Sequence, residues 1–208
     1  MLGVISFASI EGGTPEDVWP LNSIAGAEPG WLKMCYGKVA LWQLVNPERP
    51  DSIFHGLFSG KDSIIQYIPP LLSSIGRVPA PFIELYGLDK ASADGNPYAL
   101  PVISIAAILN NESAISTIQL YYAFTSCVTN EFGNLVLNRD PRSLLIMAFW
   151  YSNLSMGEWW LRKRALLEGQ ATCLYLERYA SDNTAIQEHL KVPKNQLFKD
   201  RTAINVET

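Results

Sequence analysis

The 208-residue sequence predicts an all-α protein, a single compact multi-helix domain built around a buried helical hairpin at about 140–179. Three observations carry that expectation. Asp140 followed by Pro141 has the form of a helix start: a capping carboxylate, then the residue with no N–H to lose in the first turn. From Leu144 to Leu154 almost every side chain is apolar, and the run breaks at Ser155-Met156-Gly157. From Glu158 to Tyr179, apolar or small residues (Trp159, Trp160, Leu166, Leu167, Gly169, Ala171, Cys173, Leu174, Leu176) fall all round the circumference. The polar stripe of a surface helix is missing, so this second helix is a central one. Gly169, Ala171 and Thr172 would let neighbouring helices approach closely, and Gln170 among them would be a buried amide in need of partners.

The other elements follow in chain order. Leu2 to Glu11 reads as a short buried helix stopped by Gly12-Gly13. Thr14-Pro15-Glu16-Asp17 has the form of a cap, a proline and first-turn acids, and starts another short helical turn. Apolar residues at helical spacing predict an amphipathic helix over Trp31 to Val45, ended by Asn46-Pro47-Glu48-Arg49-Pro50. Ser52 to Phe58 resumes as a short helical segment carrying His55. Pro69-Pro70 interrupts whatever helix Asp62 begins. Ser73 to Pro81 is turn-rich, Phe82 to Tyr86 apolar, and Asp89 to Pro97 reads as a loop. Pro101 to Leu109 and Glu112 to Thr129 read as two helices, the second with Ile115, Ile118/Gln119, Tyr122, Ser126 and Thr129 along one side. Asn130 to Asn138 reads as a tight β-like turn or a helix–helix connection. Ser181 to Leu190 forms a last amphipathic helix, so the domain spans 1–190 and a polar, frayed tail follows from 191 to 208.

Composition narrows the function classes. Apolar residues make up 48% of the chain and charged residues 17%, which suits a globular core. A net charge of −4 argues against a nucleic-acid surface, which would be basic. Cys35, Cys127 and Cys173 lie far apart in apolar segments, as buried free thiols do in a reducing compartment, and no ligand-spaced Cys/His cluster predicts a metal. Met1 to Ile10 lacks the basic start of a signal peptide, and nothing reaches the roughly 18 apolar residues of a membrane span. The expectation is an intracellular protein, cytoplasmic or nuclear, without a cofactor.

Three blocks resemble a known family: LGVISFASIEGGTPEDVWPL, WLKMCYGKVALWQLVNPERPDSIF and WYSNLSMGEWWLRKRALLEGQATCLYLERY. They are similar, in this order and over about half the chain, to the C-terminal regulatory domain of fungal zinc-binuclear-cluster transcription factors of the sterol uptake control type. The resemblance implies an all-helical domain that dimerises and, in sterol-sensing members, holds a lipophilic ligand in an internal pocket. The six closely spaced cysteines of the DNA-reading module are missing, so direct DNA contact is not expected. In the resembling family the opening block lies well inside the domain, so the chain is expected to be either a fragment or a shortened relative that stands alone.

Chemistry-bearing signatures are few: there is no phosphate-cradling glycine loop, no Gly-x-Ser-x-Gly elbow and no HExxH helix. The candidate ligand-binding residues are therefore the hairpin aromatics and their neighbours: Trp150, Trp159, Trp160, Met147, Tyr121, Tyr122, Phe124 and Gln170. Three readings stay open. The first is a regulatory module for a sterol- or terpenoid-like ligand. The second is a cofactor-free catalyst of a cyclisation or cycloaddition, which needs only a dry pocket that holds a folded conformer. In that case His55, Arg162, Lys163 or Gln170 would hydrogen-bond a substrate carbonyl. For His55 no carboxylate or thiol partner can be placed beside it from the sequence. The third is a structural dimerisation module whose interior is closed by Trp and Leu side chains, and aromatics at helical spacing are ordinary core residues under that reading.

Overall fold

The computed structural model of the chain describes residues 7–8, 10, 13–24, 28–46, 49–53, 55, 77–88, 95–110 and 116–199, and all of the regular structure among them is helical. A 3-10 turn at Pro15–Asp17 precedes α1 (Gly30–Val45), α2 (Ala80–Tyr86), α3 (Ala99–Ser104) and α4 (Ala106–Leu109). Then come α5 (Thr117–Cys127), α6 (Asn130–Leu137), α7 (Pro141–Leu154), α8 (Trp159–Tyr179) and α9 (Thr184–Lys199).

The hairpin is α7 and α8. The Asp140 carboxylate accepts from the Ser143 N–H at 2.8 Å and from the Tyr98 hydroxyl at 2.9 Å, so the cap that starts α7 also anchors the start of α3. Nearly all of α7 from Ser143 onward is buried, and α8 is buried all round its middle from Arg164 to Cys173. The bend at Ser155-Met156-Gly157 lies against the start of α5, where a Cβ on Gly157 would overlap the Thr117 side chain.

Helix α9 packs on both hairpin helices, and the small residues of α8 explain how. A Cβ on Gly169 would lie 2.9 Å from both Tyr151 Cβ on α7 and Leu197 Cδ2 on α9. The leucine tip has freedom to move; the Tyr151 Cβ moves only if α7 does. Gly169→Ala is therefore expected to cost about 1–3 kcal/mol by overpacking, read as a lowered denaturant midpoint with an unchanged slope. The buried Gln170 amide finds its partner one residue along, donating from Nε2 to the Leu197 carbonyl at 2.8 Å.

That bond belongs to a correction. The frayed tail expected from 191 is instead helical through Lys199, with Ile186, Leu190, Pro193 and Leu197 buried. Those four positions form a stripe at helical spacing, and its burial outweighs the polar composition and the internal proline. Residues 200–208 lie outside the described residues.

Other expectations are adjusted in detail. Asn130 to Asn138 is neither a β-like turn nor a plain connection but α6, capped by Thr129, whose hydroxyl oxygen accepts from the Phe132 N–H at 3.2 Å. The expected helix from Pro101 to Leu109 is two short helices, α3 and α4, meeting at Ile105. In α5 the inward face is Leu120, Tyr121, Phe124 and Cys127, while Ser126 of the anticipated stripe is exposed. The turn at Pro15 is held as its sequence implied. Asp17 accepts from the Thr14 N–H, the Thr14 hydroxyl and the Gly13 N–H, and the Thr14 bonds, with that from Gly13, hold its carboxyl below the usual range. Of the expected helix at Leu2–Glu11 only Phe7, Ala8 and Ile10 are described. Most of Ser52–Phe58, all of Lys61–Leu72 and most of the Asp89–Pro97 loop lie outside the described residues.

Cys35, Cys127 and Cys173 are buried thiols outside any disulfide. Burial pushes the Cys127 thiol up to about 11 and raises that of Cys173 as well. A thiol-reactive reagent at neutral pH is expected to leave the native protein unlabelled and to modify all three cysteines once it is unfolded. Stoichiometric labelling of the native protein would place at least one thiol at the surface.

Candidate functional site

The centre of the molecule is aromatic, and five elements build it. Trp150 on α7 is fully buried and has the Phe124 ring from α5 stacked against it at 4.4 Å. Trp31 from the start of α1 lies 5.1 Å away and Tyr121 of α5 at 6.1 Å. The Phe7 ring is inserted among them, edge-on to Tyr121 at 5.2 Å, Trp31 at 5.6 Å, Trp150 at 5.7 Å and Trp160 at 6.5 Å. Edge-to-face pairs at these separations add to the area each ring buries.

Behind the rings lies a buried ion pair. Arg164 and Glu168, one turn apart on α8, bond directly, and both are shut off from solvent. The second Glu168 oxygen accepts from the Tyr151 hydroxyl at 2.5 Å and from the Trp31 indole N–H at 3.2 Å. Arg164 donates from Nε to the Phe7 carbonyl at 2.6 Å, and its guanidinium lies 5.4 Å from the centre of the Phe7 ring. Burial pushes the Glu168 carboxyl above its ordinary value, against the pull of Arg164, Tyr151 and Trp31. Burial, reinforced by the Glu168 charge, also drives the Tyr151 phenol well up, so Tyr151 is a hydrogen-bond donor at any physiological pH.

Among the described residues, one polar atom in this centre has no partner. The Trp150 indole N–H is buried without an acceptor, as is that of Trp19. An unsatisfied buried donor costs about 1–3 kcal/mol relative to a paired one.

The candidate residues named from the sequence distribute unevenly over this geometry. Trp150, Tyr121 and Phe124 come together, with Trp160 half-buried at their edge, 5.4 Å from Tyr121. Trp159 does not join them: it is 82% exposed, its side chain turned to solvent at the first turn of α8. Met147 is buried in the core and Tyr122 half-buried beside Tyr121. Gln170 is occupied with α9 rather than with the aromatics. Arg162 and Lys163 are exposed, Lys163 reaching the Ile10 carbonyl at 3.3 Å; the cation that enters the core is Arg164. His55 is half-buried, and its surroundings are largely outside the described residues.

Phe7, Trp31, Tyr151, Arg164 and Glu168 are the members that sequence reasoning missed. Arg164 and Glu168 had a signal: an acid four residues after a base, with Ala165, Leu166 and Leu167 between them. Phe7 and Trp31 had none beyond being apolar.

Among the described residues no group of three or more His, Cys, Asp or Glu side chains could hold a metal ion, and no helix is long and apolar enough to cross a membrane. The fold and centre thus define a helical protein with an aromatic, internally charge-paired core. No protein-family model, no curated protein and no solved structure matches the chain.

Proposed function

We propose that the chain is a regulatory domain of the fungal transcription-factor type that binds a lipophilic, sterol- or terpenoid-like ligand and acts in sterol or secondary metabolism. The observation that carries the reading is the aromatic centre with its unpartnered Trp150 N–H. Flat rings from separate helices suit a flat apolar ligand, and a buried donor without an acceptor suits one oxygen on it. The resemblance of the three sequence blocks supports the same reading, and with it dimerisation, a nuclear or cytoplasmic site of action and action through protein partners rather than direct DNA contact.

Arg164 and Tyr151 favour a second reading. Two buried donors beside an apolar centre could polarise a carbonyl in a bound polyene, and holding a folded conformer would do the rest of a cyclisation. Deleting the gene in its host separates the two. Under the regulatory reading, transcripts of neighbouring biosynthetic genes fall together with the end product. Steady transcripts with one uncyclised precursor accumulating would overturn it in favour of a catalyst.

A further inference from the structure

We infer that Phe7 is an internal plug: its ring and its carbonyl oxygen occupy the binding site of a flat apolar molecule carrying a neutral oxygen acceptor, which enters by displacing it. The inference deepens the ligand-binding reading above by naming where the ligand sits and what it must carry. The Phe7 ring has the environment of a bound ligand. It is fully enclosed and meets rings from four different helices: Trp31 (α1), Tyr121 (α5), Trp150 (α7) and Trp160 (α8). Its carbonyl, three bonds from the ring, accepts from Arg164 Nε at 2.6 Å. The plug matches the cage in shape but not in polarity, because the buried N–H of Trp150, whose ring lies 5.7 Å from that of Phe7, stays without an acceptor. A ligand with an oxygen there would satisfy a group that Phe7 does not.

The charge on the required oxygen follows from the neighbours. An indole N–H and a guanidinium are donors only, so the ligand group must accept. A carboxylate is disfavoured, since the Arg164 charge is already neutralised by Glu168 and a second carboxylate would be buried beside the first. An amine is disfavoured, since Trp150 and Arg164 present only donors and the Glu168 carboxylate is already taken by Arg164, Tyr151 and Trp31. A neutral oxygen acceptor remains, on a ketone, an amide or an alcohol.

The full-length Phe7→Ala variant opens the cage, and 3-phenylpropanamide, which repeats the ring-to-carbonyl spacing of the plug, is the probe. The expected result is that this amide binds Phe7→Ala and raises its Tm, about tenfold more tightly than 3-phenylpropanoate or 3-phenylpropylamine by calorimetry. Wild type should bind it about tenfold more weakly than the variant, because Phe7 competes. Adding Trp150→Phe should weaken the amide by a larger factor than it weakens benzene, which needs only the apolar space. If Phe7→Ala does not fold, Phe7→Leu keeps an apolar residue in place and is tested in the same way. Equal binding of amide, acid and amine, or no binding by a folded variant, overturns the inference. Titration of wild type with a sterol reads the ligand-class proposal separately: amide binding without sterol binding retains the plug and removes the sterol, and the opposite pattern does the reverse.

Discussion

Glu168→Gln is expected to lower the free energy of unfolding by about 3–5 kcal/mol, a large share of the roughly 5–15 kcal/mol of a typical domain. The substitution keeps an oxygen that accepts from Tyr151 and Trp31, so the loss comes from stranding the Arg164 charge in a dry interior. That origin gives the prediction a second half. Arg164→Met combined with Glu168→Gln removes the stranded charge, and the double variant is expected to be more stable than Glu168→Gln alone. A double variant that loses further stability would mean that Arg164 contributes chiefly through the Phe7 carbonyl.

Trp150→Ala is the other large effect, about 3–5 kcal/mol, since it removes the ring on which Phe124, Trp31, Tyr121 and Phe7 all pack. Trp150→Phe should cost clearly less: it retains a ring and gives up an N–H that has no acceptor. Equal losses for the two variants would show that the indole N–H has a partner in solution.

The hairpin was legible because its signals are local. Asp140-Pro141 can start a helix by its own chemistry, and α8 has no polar stripe because no side of its middle faces water. Which neighbour on a helix turns inward is a different kind of question, since adjacent residues lie about 100° apart. Trp159 and Trp160 are chemically the same, and only the position of Tyr121 and Phe7 draws one of them in. Arg162, Lys163 and Arg164 pose the same choice among three cations. Arg164 is selected by lying three residues after Leu161 and four before Glu168 on the inward side, a pattern hidden by treating charge as surface. The stripe Ile186, Leu190, Pro193, Leu197 was masked in a similar way by the lysines around it. Phe7 reaches the centre from more than a hundred residues away along the chain, and no local pattern encodes that.

Tryptophan emission followed while the full-length protein is titrated with dehydroergosterol, a fluorescent sterol, tests ligand binding at the aromatic centre most directly. Saturable energy transfer from the core tryptophans is expected, weakened in Trp150→Phe, which keeps the fold but lacks the indole donor. Transfer that never saturates, or that is unchanged by Trp150→Phe, would contradict a sterol site at this centre.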